Sequence, residues 1–465
     1  MNRDYDVLVI GGGPAGENAG ERVARGGLSV ALVERELLGG ECSYWACMPS
    51  KALLRPGEVL ATARRTPGVA GAITGDIDVG SALERRDALA SHWDDSGQVA
   101  WAKGAGLDVI RGHGRLVTER IVAVEADDGT VTEYEAARAV VIATGTRAAA
   151  PPIAGLAEVG AWDNRDITTA KEIPARLLVL GGGVVGVEMA QAFATLGSEV
   201  TVIEAMDRLL PREEPFAGAE LEKAFERLGI RVVTGAEMIG ARRTGSDGPV
   251  IAELAGGGTV EADEILVAVG RRPLTSDIGL DTVGLMAGEF IEVDDSMRAV
   301  GVDGGWLYVV GDANGRALLT HTGKYQARVA GDHIAGKEAH TTAYGDKIAV
   351  PRVIFTSPNV AAVGLTERQA VAKGLRVRSV QYDIGHVAAA PARGKGYRGT
   401  CQIVVDEDRR VVVGATFVGP ETGELIHAAT IAIVGEVTLD RLWHAIPSFP
   451  TLSEVWLRLL EAYGM

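Results

Sequence analysis

The sequence lacks three features that define large classes of proteins. It has only three cysteines in 465 residues, Cys42, Cys47 and Cys401, so it carries no secreted disulfide framework. It lacks an excess of basic charge, and its net charge of −16 disfavours nucleic acid and anionic membranes as main partners. It also lacks an uninterrupted apolar run of the ~20 residues that a membrane helix needs. We therefore expect a soluble protein with no nucleic-acid or membrane partner.

The opening residues also bear on location. MNRDYDVLVIGGG runs directly into an apolar segment and a glycine-rich turn, with no space for a charged leader and a cleavage site. A cytoplasmic location is expected. The length exceeds what one hydrophobic core organises, so two or three domains are expected. The 61 glycines indicate many tight turns and close backbone approaches.

One strand–turn–helix pattern occurs twice. An apolar segment ending at Ile10 leads into GGGPAG at residues 11–16, and one ending at Leu180 leads into GGGVVG at residues 181–186. In each copy a second apolar segment follows and ends in an acid, Glu34 or Glu204. The acid lies 23 positions after the first glycine both times. The repetition indicates two copies of one functional unit rather than two ordinary turns with incidental acids.

The repeated pattern is typical of dinucleotide-binding units. The first glycine permits the tight turn, the second lets the backbone approach a pyrophosphate, and the third lets the helix pack closely on the strand. The acid accepts hydrogen bonds from ribose hydroxyls. Two such units in one chain indicate a flavin and a nicotinamide dinucleotide, and hence hydride transfer. The glycines predicted to act in this way are Gly11, Gly13 and Gly16, and Gly181, Gly183 and Gly186.

Further elements are predicted from apolar runs and turn residues. Buried strands are expected at 139–143, 264–269 and 306–310. From about Tyr344 the pattern changes, which indicates an α+β module with an antiparallel sheet. Its expected strands and helices are 352–355, 401–405, 411–418, Thr422–Val434 and 453–462.

Two cysteines lie close together directly after Glu34, in the segment GGECSYWACMPSK at residues 39–51. Pro49 is a typical opening residue of a helix, so Cys42 and Cys47 are expected at or near a helix N-terminus. The helix dipole there favours a thiolate and lowers the pKa of the thiol. The alternative is that both are small buried apolar residues, which their position after a dinucleotide unit disfavours. Cys401 lies in a predicted strand and is expected to be a buried free thiol.

With these motifs in this order, the sequence resembles the flavoprotein disulfide reductases, the group that contains dihydrolipoamide dehydrogenase, glutathione reductase and mercuric reductase. The resemblance covers essentially the whole chain. It rests on both glycine fingerprints with their acids, the G-G-x-C-x-x-x-x-C-x-P-S-K segment, Gly311-Asp312, and the segment PTLSE at 450–454. The cysteine segment is the most specific of these.

The resemblance implies a role for each matching residue. Cys42 would be the interchange thiol that attacks the substrate, and Cys47 would lie over the flavin and exchange electrons with it. Lys51 would lie near the reactive nitrogen of the flavin, paired with Glu188. Asp312 would hold the ribityl chain. The other cofactor-binding residues that the resemblance implies are Gly114, Thr144, Gly145, Gly270 and Gly311.

The resemblance also implies the domain organisation. The expected fold is α/β, with two Rossmann-like dinucleotide-binding domains and a C-terminal α+β dimerisation domain. Residues 1–150 and 273–343 would form the FAD-binding domain, residues 151–272 the NAD(P)-binding domain, and residues 344–465 the interface domain. A homodimer is expected, in which the interface domain contributes to the active site of the partner.

The sequence departs from the family pattern at one position. In disulfide-reducing members a histidine precedes the Pro-Thr segment, and a glutamate orients it. Here the matching residues are Phe449 and Glu454, and phenylalanine cannot transfer a proton. Either His444 or His386 takes over, or the acceptor needs little protonation, as a quinone or a metal ion would. Mercuric reductases also lack this histidine. They use vicinal cysteines near the C-terminus, which this sequence does not have, so mercuric reductase activity is not expected.

The predicted function is therefore FAD-dependent electron transfer from NADH, through Cys42 and Cys47, to a small-molecule acceptor. Glu204 favours NADH over NADPH, although Arg208 lies four positions on and could reach a 2′-phosphate. One alternative is a disulfide reductase similar to dihydrolipoamide dehydrogenase that uses another base. Another is a flavoprotein subunit or redox sensor of a larger complex. No metal site is predicted.

Overall fold

The computed structural model describes residues 3–245 and 248–465. Its helices are α1 (Pro14–Ala24), α2 (Gly40–Tyr44), α3 (Cys47–Arg65), α4 (Val79–Leu89), α5 (Ser96–Gly104), α6 (Asn164–Thr169), α7 (Val184–Thr195), α8 (Pro215–Arg227), α9 (Thr320–Ile334), α10 (Gly345–Ile348), α11 (Glu367–Ala372), α12 (Ala389–Ala392), α13 (Thr422–Val434), α14 (Leu439–Leu442) and α15 (Glu454–Tyr463). None of the helices in these ranges is long and apolar enough to cross a bilayer.

The strands follow the same chain order. They are β1 (Arg3–Ile10), β2 (Val30–Glu34), β3 (Leu107–Arg111), β4 (His113–Thr118), β5 (Ile121–Glu125), β6 (Val131–Ile142), β7 (Thr146–Ala148), β8 (Arg176–Leu180), β9 (Glu199–Glu204), β10 (Arg231–Thr234), β11 (Met238–Arg243), β12 (Val250–Leu254), β13 (Thr259–Ala262), β14 (Glu264–Val267), β15 (Arg271–Pro273), β16 (Leu307–Val309), β17 (Arg352–Ile354), β18 (Asn359–Gly364), β19 (Val377–Asp383), β20 (Thr400–Asp406) and β21 (Val411–Gly419).

The chain divides into two compact units. The first contains the residues up to Pro49, Asp87–Ala149 and Arg271–Lys347, and the second contains Ser50–Arg86, Ala150–Gly270 and the residues from Ile348 onward. The segments predicted for the nicotinamide cofactor and for the interface fall in the same unit. The finer division into four segments stays a prediction.

The first unit is built on one mixed sheet. Its strands lie in the order β3-β2-β1-β6-β5-β4, and β16 also pairs with β6. The strands β3, β2, β1, β6 and β16 run parallel, whereas β5 and β4 add antiparallel pairs. The apolar run at residues 7–10 is buried throughout, as expected for a central parallel strand covered on both faces. Helices α1 and α9 pack against each other in this unit.

The second unit contains three sheets. Parallel strands in the order β10-β9-β8-β14 carry the second glycine turn, and β11-β12-β13 form a small antiparallel sheet. The C-terminal part is an antiparallel sheet in the order β17-β18-β21-β20-β19, with α13 and α15 packed on it. The α/β class and the α+β character of the C-terminal part are confirmed. The predicted strand at 139–143 is the end of the longer β6, and the predicted strand at 306–310 is β16.

Candidate functional site

The first glycine turn joins β1 to α1 and leaves little space for side chains on its inner side. A Cβ on Gly11 would lie 2.4 Å from the carbonyl oxygen of Ala143, and one on Gly16 would lie 1.9 Å from the carbonyl oxygen of Gly11. Gly13, directly before α1, has only a single backbone atom at 4.0 Å. The turn is therefore tight against the sheet and open at the N-terminus of α1, where backbone N–H groups favour an anion.

Glu34 ends β2 beside this turn. Its carboxylate accepts hydrogen bonds from the N–H groups of Gly12 and Glu36, each at 2.7 Å. Burial raises the pKa of Glu34, and these two hydrogen bonds oppose that rise. The carboxylate is thus fixed at the edge of the glycine turn, where a ribose bound to the adjoining pyrophosphate would lie.

Polar groups of the same unit lie beyond the ends of β6 and β16. The hydroxyl of Thr144 is buried and has no hydrogen-bond partner among the residues that the structure describes. Thr146 donates a hydrogen bond of 2.6 Å to Asp312, and Arg271 Nε donates one of 2.7 Å to the Thr146 hydroxyl. Burial raises the pKa of Asp312. A buried hydroxyl without a partner is costly, so a ligand group at Thr144 is expected.

The remaining glycines predicted for the flavin site lie at backbone positions that favour glycine. Gly145 and Gly311 have φ values of 73° and 72°. Gly114 lies in β4, and a Cβ there would come within 3.0 Å of Val33 and 3.2 Å of Ile10. Together with the open turn, Glu34 and Thr144, these residues suit FAD.

The second glycine turn, between β8 and α7, repeats the first. A Cβ on Gly181 would lie 2.5 Å from the carbonyl oxygen of Ala268, one on Gly186 would lie 1.9 Å from that of Gly181, and Gly183 has open space. Gly270, three residues after β14 in the same unit, has a φ of 140°. This turn suits a second dinucleotide for the same reasons as the first.

Glu204 ends β9 beside the second turn. Its carboxylate accepts hydrogen bonds from the N–H groups of Gly182 at 2.6 Å and Met206 at 2.7 Å. Arg208 Nη2 donates to the carbonyl oxygen of Pro211 at 3.0 Å, while its buried Nε has no hydrogen-bond partner among the described residues. The carboxylate of Glu204 is therefore held at the turn, and Arg208 is partly engaged by the backbone.

The two cysteines of the predicted redox pair lie on successive helices. Cys42 is in the short α2, whereas Cys47 is the first residue of α3. Cys47 lies at the N-terminus of α3 and Cys42 near it, as expected, but Cys42 belongs to a separate helix because the chain leaves the helical conformation at Trp45. The structure has the pair in its reduced, dithiol form, and Cys47 Sγ lies 3.4 Å from the hydroxyl of Thr320.

The expected lowering of the thiol pKa is wrong for Cys42. Its pKa is raised, first because it shares a hydrogen bond with Cys47, then because of burial and the charge of Cys47. Thr320 and Lys324 act in the opposite direction. Once one thiol has lost its proton, the two sulfur atoms share the remaining proton through this hydrogen bond. Loss of that second proton is therefore disfavoured. Cys401 is fully buried in β20, as expected, and burial raises its pKa.

The structure brings Lys51 and Glu188 together in the second unit. Lys51 Nζ lies 2.7 Å from Glu188 Oε2 and 4.8 Å from the centroid of the Phe355 ring. The N–H of Phe355 donates to Glu188 Oε1 at 2.9 Å. Both carboxylate oxygens of the buried Glu188 are thus engaged, which fixes the ammonium group of Lys51.

The C-terminal residues Phe449 and Glu454 are in contrasting environments. The Phe449 side chain is 77% exposed in the single chain, whereas Glu454 is 7% exposed. Glu454 Oε1 accepts a hydrogen bond of 2.6 Å from Arg458, and Oε2 accepts one of 3.1 Å from the N–H of Ala388. Of the two alternative bases, His386 is 73% exposed and His444 is also exposed.

Sequence reasoning missed several residues of these clusters. Three of these residues come from distant parts of the chain and belong to no local sequence pattern: Thr320, Phe355 and Arg271. Arg458 had a signal, because it lies four positions after Glu454 in a predicted helix, a spacing that places two side chains on one face. The described residues contain no group of three or more His, Cys, Asp or Glu side chains arranged to hold a metal ion.

Comparisons with known proteins agree with this geometry. The model of the pyridine nucleotide-disulphide oxidoreductase family matches residues 5–330, and that of the family's dimerisation domain matches residues 350–459. The chain is 35% identical to the dihydrolipoyl dehydrogenase of Thermus scotoductus, covering 99% of this chain and 97% of the relative. It is 30% identical to a mercuric reductase of Staphylococcus aureus, covering 97% and 81%. The structure of LpdA from Mycobacterium tuberculosis is 27% identical and covers 99% of this chain and 100% of that one, with a TM-score of 0.86.

Proposed function

Because this chain belongs to the pyridine nucleotide-disulphide oxidoreductase family, we propose that it oxidises NADH and passes the electrons through Cys42 and Cys47 to an acceptor that is not a small disulfide. The enzyme class, the use of FAD and NAD(P)H and the dimerisation domain follow from the family. The pathway through these cysteines, the preference for NADH and the class of acceptor are the proposal.

The described residues suit both cofactors. Glu34, Thr144 and Asp312 would hold FAD at the first glycine turn, and Glu204 would hold the ribose of NADH at the second. When bound, FAD supplies two-electron chemistry between the nicotinamide and a disulfide. Lys51, fixed by Glu188, provides a positive charge near the start of α3.

The electron balance of the proposed reduction is simple. NADH gives up a hydride, which is two electrons and one proton, and leaves as NAD⁺. The two electrons break the Cys42–Cys47 disulfide, and the proton remains on Cys42, so Cys47 becomes a thiolate. A quinone that takes the two electrons with two protons, one from Cys42 and one from water, restores the disulfide. The raised pKa of Cys42 agrees with its role as the protonated member of the pair.

The preference for NADH rests on the surroundings of Glu204. A carboxylate accepts hydrogen bonds from a ribose hydroxyl and repels a 2′-phosphate. Arg208, the cation that could bind such a phosphate, donates to the backbone through Nη2. Residues 205–207 are Ala, Met and Asp and offer no other cation.

The observation that carries the choice of acceptor is Phe449, which stands where the family resemblance implies a histidine. A disulfide-reducing relative would use Glu454 to orient that imidazole, whereas here Glu454 accepts hydrogen bonds from Arg458 and from the N–H of Ala388. Phe449 offers no proton to a departing thiolate. An acceptor that takes protons from water, such as a quinone, avoids this requirement.

Reduction of a lipoyl-type disulfide is the second candidate. The relatives named dihydrolipoyl dehydrogenase, one of them 35% identical along nearly the whole chain, favour it. It requires that His444 or His386 supply the proton that Phe449 cannot.

The test is a panel of acceptors offered to the purified holoenzyme with NADH: lipoamide, glutathione disulfide, quinones and metal salts. Positioned acid catalysis is typically worth about 10²–10⁴-fold, and without it both disulfides should be reduced far more slowly than the quinones. His444→Ala and His386→Ala should leave quinone reduction unchanged. Rapid lipoamide reduction in the wild type would overturn the proposed acceptor, and its loss in either histidine variant would identify the base.

A further inference from the structure

The loop between β9 and α8, residues 205–214, runs from the acid of the second glycine turn to the start of α8. Two of its residues pack onto that turn. Leu209 is fully buried, and a Cβ on Gly182 would lie 2.6 Å from Leu209 Cδ2. The N–H of Leu210 donates to the carbonyl oxygen of Gly182 at 3.0 Å. The conformation of this β9–α8 loop therefore bears directly on the turn proposed to hold the nucleotide.

Leu210 has a strained backbone. Its φ of 50° lies in the left-handed region, which bulky side chains rarely adopt. Such a conformation persists only where the surrounding contacts hold it in place. The contact with Gly182 holds the loop on one side of the strain, so an anchor is needed on the other side, between Leu210 and the start of α8.

Two adjacent acids at the end of the loop provide this anchor. Glu213 accepts two hydrogen bonds from Arg352 in β17, at 2.8 Å from Nε and 2.9 Å from Nη2. Glu214 accepts hydrogen bonds from the N–H of Glu367 at 2.7 Å and from Gln402 at 2.9 Å. Both acids are buried. A charge-assisted, bidentate pair is strong and directional, so Glu213 ties the loop to the C-terminal sheet.

The anchored end of the loop also holds Arg208. Its Nη2 donates to the carbonyl oxygen of Pro211 at 3.0 Å and lies 3.5 Å from that of Glu213. Both carbonyl groups belong to the stretch that the Glu213–Arg352 pair fixes. Loss of that pair would release these acceptors and let the guanidinium turn toward the ribose that Glu204 would bind. A 2′-phosphate on that ribose would then gain a partner with which it forms strong hydrogen bonds.

We propose that Glu213 is a positioning residue that determines nicotinamide specificity through the shape of the β9–α8 loop, without touching the cofactor. Paired with Arg352, it keeps the loop closed on the second glycine turn and keeps Arg208 on the backbone. The closed loop favours NADH, and a loosened loop favours NADPH. This inference rests on the proposed binding of NADH at Glu204 and adds the residues that enforce the preference.

The test is the affinity of the FAD-containing enzyme for NAD⁺ and for NADP⁺, measured by calorimetric titration without turnover. Glu213→Gln keeps the shape of the side chain but places an amide donor against the guanidinium, so the bidentate pair is lost. One hydrogen bond typically changes an affinity by about two- to tenfold, so the ratio of the two dissociation constants should shift toward NADP⁺ by about tenfold. Arg352→Gln removes the same pair from its other side and should give the same shift.

Arg208 should carry the gain in NADP⁺ affinity. Adding Arg208→Ala to Glu213→Gln should return that affinity to the wild-type value, whereas adding Arg212→Ala should leave the gain intact, although Arg212 is an exposed cation of the same loop. Arg409→Gln is the matched control for stability, because it also removes an arginine from a buried acid, Asp406, 2.8 Å away in the same unit. That control should leave the ratio unchanged.

Three results would overturn the inference. One is an unchanged ratio in Glu213→Gln and Arg352→Gln. Another is an equal weakening of both nucleotides, which is what a purely structural pair would produce. The third is a gain in NADP⁺ affinity that survives Arg208→Ala. Failure of the proposed function looks different, because the wild type itself would then bind NADP⁺ more tightly than NAD⁺.

Discussion

Substitution of Glu17 by glutamine should make the enzyme more stable at alkaline pH. Glu17 is buried in α1, and burial raises its pKa from the ordinary 4.5 to about 7. A carboxyl group whose pKa is higher in the folded state than in the unfolded state binds more protons when the protein is folded. The stability that it contributes is full below about pH 4.5 and is lost as the pH rises through about 7. Glutamine has the same shape and no such loss.

The size of the effect follows from the two pKa values. One pKa unit corresponds to about 1.4 kcal/mol, so the difference between 4.5 and about 7 corresponds to about 3 kcal/mol. For a unit of this size that is roughly 6–12 °C in Tm. At pH 5 the wild type and Glu17→Gln should melt at nearly the same temperature. At pH 8.5 the variant should melt at the higher temperature by this amount.

The assay is thermal unfolding at fixed protein and FAD concentrations, from pH 5 to 8.5. Glu21→Gln is the control, because Glu21 lies one turn further along α1 in an ion pair with Arg25. This control should show no comparable pH dependence. A difference in Tm between the wild type and Glu17→Gln that is constant with pH would refute the reasoning.

Two further predictions concern the nucleotide and the acceptor. Glu204→Ala should lose about ten- to a hundred-fold in kcat/KM with NADH, since its hydrogen bonds are worth about 1–3 kcal/mol, and should lose less with NADPH. A wild type that already prefers NADPH would contradict this. Phe449→His should gain only a little activity with disulfides, because Arg458 holds the Glu454 carboxylate. Phe449→His combined with Arg458→Ala should gain more of this activity. Quinone reduction should change little in either variant. Steady-state rates with lipoamide and a quinone measure both effects, and a large gain in the single variant would contradict the argument.

The local features of the fold could be predicted from the sequence. The two glycine turns, their acids and the strands that flank them follow from short-range patterns, and the structure has them within a few residues. Strands β4, β5 and β11–β13 were not predicted, because they are short, partly exposed and set by pairing with distant strands. Helices α4 and α5 were not predicted either, because each has weak amphipathic character.

The candidate site shows the same limit. The family pattern predicted that Lys51 and Glu188 pair, although they lie far apart in the chain. The structure places Lys51 Nζ 2.7 Å from Glu188 Oε2. The family pattern could not indicate that Arg458 donates to Glu454 or that Thr320 lies 3.4 Å from Cys47, since both depend on side-chain geometry. The raised pKa of Cys42 likewise arises from its contact with Cys47, which helix position alone does not predict.

The central claim is that Cys42 and Cys47 cycle between disulfide and dithiol with electrons from NADH. The measurement is the number of thiols per chain, counted in denaturant before and after anaerobic addition of NADH. The sequence has three cysteines, and Cys401 is buried in β20 and is no member of the pair, so the count should rise from one to three. Cys42→Ser and Cys47→Ser should each give two thiols before and after NADH. Three thiols before NADH, or one still remaining after it, would contradict the account.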